Sequence, residues 1–243
     1  GVIRGEGFEF KVTDTQKHGG LVVHHGTLVS GLLKEGQSCI AEVDTARRNA
    51  LCRAHSATHI LHHALQKNVG SHAQQQGSKV DADWLRFDFS HQKSVPDETL
   101  AQIQHDILQR ISANEPIKYE TISLADARKA GAMMLFGEKY PDPVRMVSMG
   151  EFSRELCGGT HLTRTGDVAA FELLAEESVS AGTRRIIAVT GDKAQEYRDQ
   201  TVAIKILRTG ESLTEEKDLD DFRKELEILK TLRAPHIVTF IGA

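Results

Sequence analysis

Apolar positions along this chain follow two rhythms. Near the N-terminus they alternate. "FEFKVTD" and "LVVHHGTLV" are rich in β-forming residues, and Gly19-Gly20, Gly26, Gly31 and Gly36 punctuate them. This pattern predicts short antiparallel strands joined by tight turns, part of a small β-barrel over residues 1–43. From Asp44 the period changes. Ala50, Ala54, Ala57, Leu61 and Ala64 recur at three- and four-residue steps, the apolar stripe of a helix running from an Asp44 N-cap to about Val69. Gly70 ends it. "WLRFDFS" (84–90) alternates as a strand. "PDETLAQIQHDILQRISAN" (96–114) places Leu100, Ile103, Ile107, Leu108 and Ile111 on one helical face behind Pro96 and Asp97. A shorter helix is predicted at 124–133, and strands at 144–149, 169–179 and 184–191. Strands and helices mixed without regular βαβ alternation predict an α+β fold. The order is a partial N-terminal β-barrel (1–43), a two-layer α/β domain (44–195) and a short strand–helix–strand tail (196–243).

Composition narrows the class. The chain has 243 residues, 40% hydrophobic and 26% charged, an ordinary balance for a globular protein. No apolar run approaches the ~20 residues of a bilayer span, so no membrane partner is expected. The opening "GVIRGEGFEF" lacks the apolar core of a leader peptide, and the missing initiator Met reads as a processed or excerpted piece. Three cysteines, an odd number, argue for a reducing compartment, here the cytoplasm. The net charge of −4 counts against nucleic acid as the dominant partner, and no DNA partner is expected. A local basic patch remains open as a binding surface: Arg47, Arg48 and Arg53 lie together, as do Arg184 and Arg185. Taken alone, such pairs read as solvated surface charge.

The chemistry concentrates in two segments. "RAHSATHILHHAL" (53–65) carries four histidines, and His55 and His59 stand at i and i+4, one turn apart on one helix face. "ELCGGTHL" (155–162) sets Cys157 and His161 around a glycine pair, a spacing that suits convergence from a tight loop. Three imidazoles and a thiolate form a zinc-type donor set. The two pairs lie about a hundred residues apart, so an ion held by all four would join distant parts of one domain. Packed, hydrogen-bonded core histidines are the competing explanation. His62, His63 and His91 are read as packing residues.

At these residues the chain resembles a known family. "RAHSATHILHHAL", "GSKVDADWLRFDFSH", "GAMMLFGEKYPDPVRMVSMG", "SRELCGGTHLTRTGD" and "SAGTRRIIAVTG" resemble, in order, the editing domain of alanyl-tRNA synthetase and its free-standing relatives, from about residue 8 to 192. The resemblance implies that His55, His59, Cys157 and His161 surround Zn2+, and it implicates a Gln placed at Gln75. It further implies hydrolysis of the ester joining a wrong amino acid, serine or less often glycine, to tRNA(Ala). An alanine pocket rejects serine only about 10²-fold, so a second site that reads the hydroxyl is physically sensible. Thr58, Thr160 and Gln75 have the chemistry to read that hydroxyl. Arg47, Arg48, Arg164 and Arg185 are the expected contacts to tRNA phosphates. The family's barrel begins earlier, with a Gly-Gly-Gln segment not found here, and its aminoacylation domain is not found either, so no charging of tRNA is expected of this chain.

The tail reads differently. "TVAIKIL" (201–207) and the helix after it resemble the start of a protein kinase, with Lys205 and Glu225 as the ion pair. No glycine-rich loop precedes Lys205 and no HRD or DFG follows, so no phosphoryl transfer is expected. Against the editing hydrolase stand two alternatives: an inactive remnant that binds zinc and tRNA, and a kinase-like regulatory fragment.

Overall fold

The first rhythm folds into strands β1 (Val2–Gly5), β2 (Phe8–His18), β3 (Leu21–Gly31) and β4 (Cys39–Glu42), paired antiparallel in the order β3-β2-β1-β4. The structure is a computed structural model, and it describes residues 1–134 and 139–199. The expected partial barrel is an open sheet: β3 and β4 lie at its edges, and nothing closes it among the described residues. Phe8 is the buried anchor of this sheet, whereas Leu21, Leu32 and Ile40 are well exposed.

The second rhythm folds as a 24-residue helix, α1 (Thr45–Asn68). The Asp44 carboxylate accepts a hydrogen bond from the Arg47 N–H at 2.9 Å, satisfying one of the free donors of the first turn. Every residue of the apolar stripe from Ala50 to Ala64 is buried. Strands β5 (Gln75–Asp81) and β6 (Trp84–Ser90) follow, then α2 (Asp97–Ala113), which Asn114 ends in the left-handed conformation at φ 50°. After β7 (Ile117–Ile122) and α3 (Leu124–Lys129) come β8 (Val144–Met149), β9 (Ser153–Leu156) and a 3-10 turn at Thr165–Val168. Strands β10 (Phe171–Ser180) and β11 (Thr183–Thr190) and helix α4 (Gly191–Asp199) complete the described chain.

These elements form a second sheet, β10-β11-β6-β5, and a third, β7-β8-β9, all antiparallel. Helices α1 and α2 share one apolar core with strands of both sheets. Ile60, Leu61 and Leu65 from α1, Ile103 and Ile107 from α2, and Phe87, Phe89, Phe171 and Ile186 from the strands are all fully buried. Burial of each contributes about 1.5–3 kcal/mol. Polar pins set the register of the layers. Buried Asp106 on α2 accepts from Asn68 Nδ2 at 2.8 Å and Gln102 Nε2 at 3.1 Å and pairs with Lys67 Nζ at 2.9 Å, fixing α2 on α1. Arg53 forks onto both oxygens of Asp83 at 2.7 and 2.8 Å, tying α1 to the β5–β6 turn.

The helix predicted at 124–133 stops at Lys129. Gly131 takes φ 72°, which α-helix does not permit, and the Met133 N–H donates to Arg154 O in β9 instead. The strand–helix–strand reading of 196–243, with Lys205 and Glu225, lies outside the described residues from residue 200 onward. Among the described residues no helix is long and apolar enough to cross a membrane.

Candidate metal centre

Two donors arrive on a rigid element and two on a loop. Helix α1 carries His55 and His59 on the face toward β9 and the segment after it. The Cys157–His161 turn leaves the end of β9 and brings in the others. The four donor atoms all lie within 4.8 Å of one another. The Cys157 sulfur is 3.5 Å from His55 Nε2 and 3.4 Å from His161 Nε2. A tetrahedral ion with bonds of about 2.0–2.1 Å to nitrogen and 2.3 Å to sulfur sets its N and S ligands roughly 3.5 Å apart. The spacing of the side chains meets that requirement, and the donor set suits zinc.

The outer nitrogens are anchored so that the inner ones converge. His55 Nδ1 lies 3.2 Å from Thr160 O, so it donates there and leaves Nε2 as the bare lone pair. His161 Nδ1 lies 3.2 Å from Ser56 Oγ, which also accepts from the Leu162 N–H at 3.1 Å. His59 Nδ1 lies 3.6 Å from Glu155 Oε2, and His62 Nδ1 lies 3.3 Å from Glu155 Oε1. These last two are close ionic approaches, not aligned hydrogen bonds. Backbone carbonyl, hydroxyl and carboxylate thus stand behind the three imidazoles, the outer arrangement that metal-binding histidines require.

The electrostatics point the same way. Burial, then the mutual repulsion of the imidazolium forms, pushes His55 down to about 4 and His161 to about 2. His59 is also lowered, chiefly by burial. Burial raises the Cys157 thiol. Near neutral pH the three imidazoles are therefore uncharged, each with one bare nitrogen lone pair, and the Cys157 thiol keeps its proton until a cation displaces it. A group of this composition and spacing could hold a metal ion.

Glycine at 159 is a steric requirement. A Cβ on Gly159 would lie 2.1 Å from His55 Cε1, well inside contact distance, whereas one on Gly158 would meet nothing within 4 Å. Gly159→Ala is expected to displace the His55 ring or the turn and to weaken metal binding about 10–100-fold, while Gly158→Ala stays near the parent. Competition with a chelator of known affinity measures both.

The lowered histidines carry a pH signature in the metal-stripped protein. Unfolded imidazoles protonate near pH 6.5. The folded ones resist until about 4 at His55. A depressed folded pKa means the unfolded state takes up protons first, so stability is full above pH 6.5 and falls as pH drops toward 4. Urea midpoints in chelator at pH 7.5, 6 and 5 should fall in that order. A His55→Ala, His161→Ala double variant should show a flatter profile.

Beside the cluster lies a cavity of about 220 Å³ lined by His62, Gln74, Gln75, Met133, Met134, Glu155 and Leu156. Gln75, implicated by the family resemblance, lines it, and so does Gln74; Gln76 points to Ser90 Oγ at 2.9 Å. The buried Thr58 hydroxyl donates to Ala54 O at 2.8 Å within its own helix. Thr160 is exposed, and its carbonyl is what anchors His55. Arg47 pairs with Asp81 at 2.8 Å, and Arg164 donates through Nε to Asn114 Oδ1 at 3.0 Å. Arg185 forks onto Asp88 at 2.6 and 2.9 Å, and Arg48 is exposed on α1. His63 packs against the Phe152 ring and His91 against His72, as packing residues do.

Sequence reasoning missed Glu155, Ser56 and Arg145. Glu155 stands two residues before Cys157, so its place in the strand entering the turn was the available signal. Ser56 and Arg145 carried none, because their roles depend on what the fold sets opposite them.

Comparisons with known proteins place the likeness of this chain among alanine–tRNA ligases. The family model for the threonyl and alanyl tRNA synthetase second additional domain matches residues 144–187, which run from β8 into β11 and include Cys157 and His161. An alanine–tRNA ligase of Rhodopirellula baltica is 62% identical over 204 residues, 84% of this chain and 22% of its own length. That of Idiomarina loihiensis is 43% identical over 227 residues, covering 93% of this chain and 26% of the relative. That of Leptospira biflexa is 40% identical over 241 residues, covering 98% and 26%. The chain thus spans about a quarter of the length of these relatives. Coverage of 98% carries the likeness into the segment after residue 200, and none of these findings supports a kinase-like tail. Over most of its length, and in the turn that carries half of its donor cluster, the chain is similar to the editing domain of alanyl-tRNA synthetases.

Proposed function

We propose that this chain hydrolyses the ester of tRNA(Ala) mischarged with serine or glycine, with zinc held by His55, His59, Cys157 and His161, in the cytoplasm. The observation that carries the reading is the convergence of the four donors beside a cavity lined by amide and carboxylate side chains. Zinc, when bound, supplies a fixed positive charge and Lewis acidity next to the aminoacyl group. The residues of the chain do the rest. Gln75 presents an amide to the serine hydroxyl, and alanine leaves that amide unpaired in a confined site, which disfavours the correct ester. Leu156 and the two methionines exclude water from the apolar side of the cavity. Arg47, Arg48, Arg164 and Arg185 hold tRNA phosphates, contacts that set position and make binding salt-dependent without reading sequence.

Deacylation of Ser-tRNA(Ala) and Ala-tRNA(Ala) by the zinc-loaded chain tests this. The serine ester is expected to be hydrolysed at least about 10²-fold faster. Gln75→Ala should narrow the ratio mainly by slowing the serine reaction. No hydrolysis of the serine ester by protein of confirmed zinc content would refute the proposal and leave the inactive tRNA-binding remnant.

A further inference from the structure

Half of the donor set rides on a turn with little rigidity of its own. Cys157-Gly158-Gly159-Thr160-His161 lies in neither helix nor strand. Ordering each backbone residue costs about 1–2 kcal/mol, and glycine loses the most freedom. His55 and His59 need no such help, because α1 holds them. The affinity of the whole set therefore depends on what freezes the turn.

Arg145 does this from β8. Its backbone carbonyl accepts the Cys157 N–H at 3.1 Å. Its guanidinium reaches along the turn, and Nη1 donates to Cys157 O at 2.7 Å and to Gly159 O at 2.8 Å. Cys157 is thus gripped at both its amide and its carbonyl, and the glycine that packs against His55 is gripped as well. The Tyr119 ring of β7 stacks on the guanidinium, 4.6 Å from Cζ to ring centroid, and holds the fork in place. No carboxylate is paired with Arg145 among the described residues, so its charge-assisted hydrogen bonds go to the turn.

We propose that Arg145 is a positioning residue for the metal centre: through its fork on Cys157 O and Gly159 O, steadied by Tyr119, it preorders the turn that delivers Cys157 and His161. It is not one of the four donors. A lysine keeps the charge and has hydrogens for two carbonyls, but it loses the flat guanidinium that lies on the Tyr119 ring and fixes Nη1 in place, so it holds the turn less rigidly. The inference rests on reading the cluster as a metal site, and two measurements separate the failure of one from the failure of the other.

The first measurement is release of zinc from loaded protein to a chromogenic chelator. Arg145→Ala is expected to release zinc about 10–100-fold faster than the parent, with Arg145→Lys between them. The second is the rate of thiol labelling at Cys157 in metal-stripped protein, in a Cys39→Ser background that removes the exposed thiol; Cys52 is buried. Arg145→Ala should label several-fold faster because the turn is loosened. A role confined to general stability would lower the urea midpoint and leave both rates at the parent value. Release and labelling within twofold of the parent in Arg145→Ala overturn the proposal. Should that variant not fold, Tyr119→Leu and Arg145→Lys decide it: faster release and labelling support the clamp, and parent rates in both refute it. A parent that retains no zinc overturns the metal reading, while the labelling rates still judge the clamp.

Discussion

Replacing Cys157 with alanine is expected to abolish both zinc retention and hydrolysis of Ser-tRNA(Ala) by the chain. The sulfur is the hub of the cluster, 3.5 Å from one imidazole nitrogen and 3.4 Å from another. It is also the one donor that brings negative charge. As thiolate it offsets part of the ion's charge in a site that burial has made hostile to uncompensated cations. With three neutral imidazoles left, the ion loses that compensation and its fourth ligand. Zinc bound by complete sets of this kind contributes roughly 10–16 kcal/mol at neutral pH, so removal of the anionic ligand is expected to cost several kcal/mol, or about 10³-fold or more in affinity. Metal content of the purified variant and single-turnover deacylation check the two halves separately. Chelator treatment of the parent should reproduce the variant, and added zinc should restore only the parent. Full activity in the variant would remove Cys157 from the centre.

Loss of the Glu155 carboxylate is expected to have the next largest effect. Burial alone would raise its pKa, but the neighbouring His59 and His62 imidazoles, with the Ser153 hydroxyl, outweigh that, and the carboxyl stays below its usual value. It is therefore ionised at neutral pH, close to Nδ1 of His59 on one side and of His62 on the other. Glu155→Ala removes the only carboxylate that stands beside the two buried Nδ1 atoms among the described residues. An unsatisfied buried polar group costs about 1–3 kcal/mol, so a loss of stability of about 2–4 kcal/mol follows. The same change frees the His59 ring and should weaken zinc binding about 10–100-fold. Glu155→Gln keeps the shape and one acceptor, so its stability should lie nearer the parent while zinc affinity still falls. Urea unfolding of stripped protein and chelator competition of loaded protein give the two numbers. A parental zinc affinity in Glu155→Ala would show that His59 needs no anchor.

The elements with a strong repeating pattern were legible. Helix α1 begins and ends within a residue of its expectation, because an N-cap aspartate and a long apolar stripe are local features. Strand β6 coincides with "WLRFDFS", whose alternating side chains pack on two faces. Strands β5, β7 and β9 were not foreseen. "QQGSKVD" and "IKYETI" expose most of their side chains, so no apolar rhythm marks them; their strand character comes from hydrogen bonds to a neighbour. The N-terminal hairpin was written in its glycines, and the partial barrel expected there is, among the described residues, an open four-stranded sheet, because the order of strand pairing is set by contacts the local pattern does not carry.

By itself the sequence determined the donor types and their two local spacings, since a helical i, i+4 pair and a glycine-flexed turn need only nearby residues. It also determined the resemblance that names the chemistry. Only the tertiary structure decided that the two pairs meet, with nitrogens and sulfur at the separation an ion demands. It alone set Glu155, Ser56 and Thr160 O behind the imidazoles, and Arg145 across the turn. The physical reason is range. Periodicity and turn chemistry act over a few residues, whereas these contacts join atoms up to about a hundred residues apart, and the layered core of α1, α2 and two sheets is what holds them at bonding distance.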